Sequence, residues 1–65
     1  MNITITLSKD LTETGDRIFI VKAGVMELAR VSFDGPRNTI RTHSGALHAE
    51  ERKTVYRLHD VFKRA

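Results

Sequence analysis

The chain has 65 residues, no cysteine, a formal charge of +3 at pH 7 and a sequence pI near 9.8. A chain this short buries only about 60% of the surface its unfolded form exposes, so it makes one small domain with a limited core. Without cysteine there is no disulfide framework, thiolate metal site or thiol nucleophile, which fits a reducing cytoplasm.

Residues 3 to 7 alternate Ile-Thr-Ile-Thr-Leu, the period-two pattern of a strand with one apolar face. A first strand is predicted over about 2–8, with Leu11 keeping its odd-numbered phase and so allowing it to run past Lys9 towards the turn signal Thr14-Gly15-Asp16. Residues 17–22, RIFIVK, are β-branched and aromatic and form a second strand. Ala23-Gly24 reads as a two-residue hairpin loop, because glycine takes the positive φ such turns need. The return strand is then VMELARVSF, residues 25–33. Asp34-Gly35-Pro36-Arg37 is a turn, and a short strand follows over 38–42. Thr42 or Ser44 offers an N-cap for a helix over about 45–64, with Glu50 and Glu51 early and Lys63 and Arg64 late, complementing the helix dipole. The expected fold is α+β: a four-stranded antiparallel β meander followed by one C-terminal amphipathic helix in two layers.

Charge is unevenly spread. Residues 1–33 carry four basic and four acidic groups, whereas residues 34–65 carry seven basic against four acidic, so the whole +3 excess lies in the second half. On a wheel of about 100° per residue, Leu47, Val55, Leu58, Val61 and Phe62 share one arc with Thr54 and Ala65, the expected core face. His48, Arg52, His59 and Lys63 flank it on one side, and Lys53, Arg57 and Arg64 on the other. Tyr56 points nearly opposite. Arg52, Lys53, Tyr56, Arg57, Lys63 and Arg64 are therefore the candidates for binding phosphates or acidic surfaces, with Tyr56 free to stack.

If Lys22 faces Val25 across the hairpin, one sheet face carries Ile18, Ile20, Ala29, Val31 and Phe33. The other carries Phe19, Val21, Met26 and Leu28, with Arg17 opposite Arg30 at its end. One helix covers one face. The second must be shielded by a symmetric dimer, a partner protein or the long loop around residues 8–16. Arg17, Phe19, Val21, Met26, Leu28 and Arg30 are the expected partner-binding residues; two arginines directly opposite repel, which calls for either a different register or an anion between them.

Catalytic constellations are missing. No phosphate-binding glycine loop or nucleophile elbow occurs around Ser8, Ser32 or Ser44. His43, His48 and His59 could suggest a metal, but on a helix His48 and His59 stand about 16 Å apart, too far to share one ion. No cofactor is expected. MNITITL lacks the charged start and long apolar run of a signal peptide, and no apolar run reaches the roughly 18 residues of a membrane span. The start at Met1 and untagged end suggest a complete short reading frame.

A sheet backed by one helix is also how integrase-type DNA-binding arms and plant AP2-type domains are built. None of their signature residues is matched here. The double-stranded-RNA module opens its last helix with lysines, whereas this helix opens Ala46-Leu47-His48-Ala49. Short cysteine-free chains with a spare sheet face resemble, as a class, small proteins of phages and mobile elements. The expectation is a non-catalytic binding protein that occupies a partner protein's surface. It would inhibit or regulate a nucleic-acid-handling complex, in the manner of anti-restriction or anti-CRISPR proteins. The alternatives are a direct DNA- or RNA-binding module using the basic helix and a small structural homodimer.

Overall fold

The computed structural model describes residues 2–37 and 39–64, with side chains described through residue 61. Four strands run in one open sheet in sequence order: β1 (Ile3–Leu11), β2 (Arg17–Ala23), β3 (Met26–Asp34) and β4 (Thr39–Gly45). All neighbours are antiparallel, and a single helix, α1 (Ala49–Arg64), follows. β3 keeps its expected length shifted by one residue, and the other strands are longer than the first estimates. β1 continues to Leu11, and β4 takes in the Thr42–Gly45 segment predicted to cap and open the helix. Asn38, the predicted first residue of β4, lies outside the described residues.

The β2–β3 turn is Gly24-Val25 rather than Ala23-Gly24, because Ala23 pairs with Met26. Gly24 has φ +60°, the positive value a primed hairpin turn requires at its first central position, and Val25 projects fully into solvent. Shifting the loop by one residue moves both partners, so by itself it leaves the expected faces unchanged. A bulge changes them. Val21 pairs with Ala29 but Lys22 pairs with Glu27, which leaves Leu28 as an extra residue in β3. Beyond it, Phe19 faces Val31, and the grouping inverts relative to the sequence reading. Phe19, Val21, Ala29 and Val31 now share one face, joined by Ile40, and Ile3 and Ile5 pack at its margin.

This is the face that α1 covers. Val21, Val31 and Val55 are fully buried, each contributing roughly 1.5–3 kcal/mol through removal from water. The helix is rotated from the expected arc. Val55 remains at its centre, but Val61 is 65% exposed, and the buried side turns toward Arg52, Tyr56 and His59. Phe62 and Ala65, also placed in the core arc, lie outside the described side chains. The His59 ring stacks on Phe33 with centroids 3.5 Å apart and planes 5° from parallel, while Phe19 meets both rings edge-on. The Ile40 N–H donates to Tyr56 Oη at 2.8 Å, and Arg52 Nη2 donates to the Ile40 carbonyl at 3.3 Å. Each of these residues has a large apolar body and a polar tip, so a wheel sorted by hydropathy leaves them out of the core.

The helix start is also local. Glu51 accepts the His48 N–H at 2.8 Å through Oε1, the returning half of a capping box, with His48 at the cap in place of Thr42 or Ser44. Gly45 turns the chain from β4 toward α1 at φ +71°, directly against the β3 bulge. A Cβ there would collide with the Leu28 carbonyl oxygen and the Ala29 Cα, both backbone atoms that cannot swing aside.

Gly45→Ala is expected to destabilise the fold by more than about 2 kcal/mol in urea unfolding, since strain and collision add. Gly24→Ala, where nothing lies within 4 Å, should lose only the left-handed backbone term of about 1 kcal/mol. Tyr56→Phe should cost about 1–2 kcal/mol by leaving the Ile40 N–H without its partner. Equal losses at the two glycines would contradict the close approach at Gly45.

Candidate binding face

The bulge decides which residues face away from the helix. Ile18 and Ile20 on β2 alternate with the buried Phe19 and Val21, so they point to the open side of the sheet. Ile20 pairs with Thr6 on one side and Arg30 on the other, and Ser32 pairs with Arg41, giving this face a small apolar centre inside a polar border. Both isoleucines are half-buried.

Part of that shielding comes from β1 and the turn after it. Leu7 pairs with Phe19 and Leu11 with Arg17, so residues 8–10 of β1 stand against Ile18 alone. The turn at 12–16 is tied within itself. The Thr12 N–H donates to the Asp16 carbonyl at 2.8 Å, and Thr14 Oγ1 donates to Asp16 Oδ2 at 2.8 Å. It walls a groove of about 460 Å³ in which Leu11, Thr12, Glu13 and Thr14 oppose Arg41 and His43 over Ile18. A second hollow of about 320 Å³ shares Thr12, Thr14 and Arg41 and runs on toward Asp34 and Pro36. The loop around residues 8–16 is thus one wall of the open face.

Ser32 is the buried polar residue of this face, and its Oγ lies 2.7 Å from His43 Nε2. His43 is the extra residue of a second bulge, between the pairs Arg30–Ser44 and Val31–Thr42. A serine beside an imidazole is one element of a nucleophile–base pair. Here the hydroxyl is enclosed, and among the described residues no carboxylate orients the ring. The contact satisfies a buried hydroxyl and fixes His43 at the groove's rim. Among the described residues, no three His, Asp or Glu side chains converge as metal ligands.

The six residues expected on the open face separate. Phe19 is 6% exposed and Val21 fully buried, both under the helix, so neither belongs to a surface. Leu28 sits in the bulge and packs against the core. Met26, 64% exposed, lies beside the hairpin tip. Arg30 pairs with Ile20 rather than with Arg17, and Arg17 alternates to the other face of β2, which removes the expected two-arginine anion site. Arg30 does face the open side, but Glu27 holds it through two hydrogen bonds of 3.1 Å, and Asp10 lies 3.7 Å away.

The basic helix separates as well. Tyr56 and Arg52 are turned toward β4 and bonded to Ile40, so neither is free to stack or to take a phosphate. Lys53 is exposed and lies 3.7 Å from Glu50, and Arg57 is exposed. The side chains of Lys63 and Arg64 lie outside the described residues. Ile18, Ile20, Arg41, His43, Thr12 and Thr14 were missed. The usable signal was Thr39-Ile40-Arg41, where a buried Ile40 obliges Arg41 to the opposite face.

The hydrogen bond from Arg30 holds the Glu27 carboxyl below the usual glutamate range, assisted by the charges of Arg30 and Lys22 and opposed by desolvation. The pair therefore stabilises the fold above the ordinary glutamate pKa, and that contribution is lost as pH falls through the lowered value. In an NMR titration Glu27 should titrate below a reference glutamate, and Arg30→Gln should return it to the ordinary range. An unshifted Glu27 in the parent protein would show that the ion pair does not persist in solution. The chain matches no protein family, no curated protein and no solved structure, so the reading of this face rests on its own geometry.

Proposed function

We propose that the chain is a non-catalytic protein that acts by occupying the surface of a partner protein, with the open sheet face as its contact. The observation that carries this reading is the pairing of half-buried Ile18 and Ile20 with a groove that no second layer covers among the described residues. The groove has an apolar floor and unlike rims. Arg41 makes no ion pair among the described residues, and Glu13 stands on the opposite wall. It suits a partner segment that sets an apolar side chain over Ile18 and a carboxylate against Arg41. The absence of cysteine is consistent with work in the cytoplasm, and an inhibitor or regulator of a nucleic-acid-handling complex remains the class this small basic chain suits.

The direct nucleic-acid reading is weaker, because among the described residues it keeps Lys53 and Arg57 but loses Arg52 and Tyr56 to the sheet. The two readings make opposite predictions. Binding to a protein partner, once it has been captured, identified and purified, should fall about 30-fold or more in Arg41→Glu and survive Lys53→Glu/Arg57→Glu. Binding to duplex DNA would instead fall steeply with salt and be lost in the helix variant. A partner complex indifferent to Arg41→Glu would remove the groove from the contact.

A further inference from the structure

The two edges of the sheet are finished differently. On β4, the Ile40 N–H and carbonyl are both taken by side chains of α1, Tyr56 and Arg52, so that edge is capped at Ile40. On β1 the corresponding groups can be located from the ladder. The Gly24 N–H donates to the Asn2 carbonyl at 3.2 Å, which makes Asn2 a hydrogen-bonded position of the β1–β2 pair. Alternation then assigns Thr4 and Thr6 to the ladder and points the N–H and C=O of Ile3, Ile5 and Leu7 outward, to the free edge.

Although α1 packs along the inner face of β1, no side chain among the described residues bonds to these outward backbone groups. Residues 3–7 hold no charge, proline or glycine and are strongly β-prone. The bulge that ends regular pairing comes only after Leu7. Leu7 belongs to the helix-covered face yet is 46% exposed.

We infer that β1 pairs edge to edge with β1 of a second copy of this chain, antiparallel about a two-fold axis at Ile5, joining two sheets into one. The segment is self-complementary in that register. Ile5 meets its own copy, Ile3 meets Leu7, and Thr4 meets Thr6, so apolar side chains meet on the helix side and threonines on the open side. Charge also favours a second copy. Thr54 shares a cleft with Ile3, which marks the flank of α1 that looks toward β1. One turn before it stands Glu50, which also lies 3.7 Å from Lys53, and one turn after it Arg57, both exposed. A two-fold axis reverses the second helix, so the acidic end of one flank lies toward the basic end of the other. This surface is separate from the open-face groove and does not depend on it.

Sedimentation equilibrium of the parent protein should give twice the 7.4 kDa chain mass. Thr4→Lys/Thr6→Lys places like charges across both symmetry-related pairs and should weaken the dimer about 10–100-fold. Because both threonines are exposed, the monomer should keep its far-UV dichroism. Thr4→Glu/Thr6→Lys puts opposite charges in the same pairs and should restore the dimer. Amide exchange gives a reading without any variant: the Ile5 N–H should be protected at high concentration and exchange quickly on dilution. A parent protein that stays monomeric, an Ile5 amide indifferent to dilution, or a charge-swapped variant no tighter than the double lysine would each overturn the proposal. Monomeric behaviour would leave the edge to a strand from another protein.

Discussion

Leu28 is one residue more than β3 needs to match β2, and the backbone makes room for it only because Gly45 can lie against it without a side chain. That close approach governs much else. Side chains alternate with a period of two, so a single extra residue turns everything beyond it to the other face. With the bulge, Phe19, Val21, Ala29 and Val31 converge under Val55. Without it, the same strands would offer the helix Ile18 and Ile20 beside Ala29 and Val31, and put Phe19 in water. Gly45 then sends the chain from the end of β4 into the helix that covers the chosen face.

The helix docks with unusual materials. Its central contact is Val55, but the contacts around it are an imidazole stacked on Phe33, a phenol bonded to Ile40 and a guanidinium reaching the Ile40 carbonyl. These groups close the polar ends of a small core that has few large aliphatic side chains to fill it. They also cap one sheet edge, so helix docking and edge protection are a single arrangement. The cost falls on the surface. Residues that would make a basic helix with a stacking tyrosine are withdrawn into the sheet, and among the described residues the backbone edge of β1 receives no such side-chain bonds.

Polar groups on the open side are similarly committed to one another. Ser32 is held by His43, Arg30 is divided between Glu27 and Asp10, and the 12–16 turn satisfies its own donors. Among the described residues no buried side-chain polar atom lacks a partner. Arg41 stands apart from these pairings, which is why it carries the proposed contact while the better-placed Arg30 does not.

The architecture is legible along the chain: alternation in residues 3–7, the β-branched run at 17–22, the turn at 34–37 and the charge order of the last twenty residues give four strands and one helix. Such signals are local, set by backbone propensity and by the spacing of apolar side chains. The sequence by itself did not determine which face of the sheet is inside, because a bulge leaves almost no mark beyond its neighbours in the chain. Nor did it determine which side of the helix is buried, because Arg52, Tyr56 and His59 count as polar until a ring and a strand edge stand opposite them. The candidate site follows from both choices. Arg41, His43 and the 12–16 turn lie far apart in the chain, and only the folded sheet makes them walls of one groove.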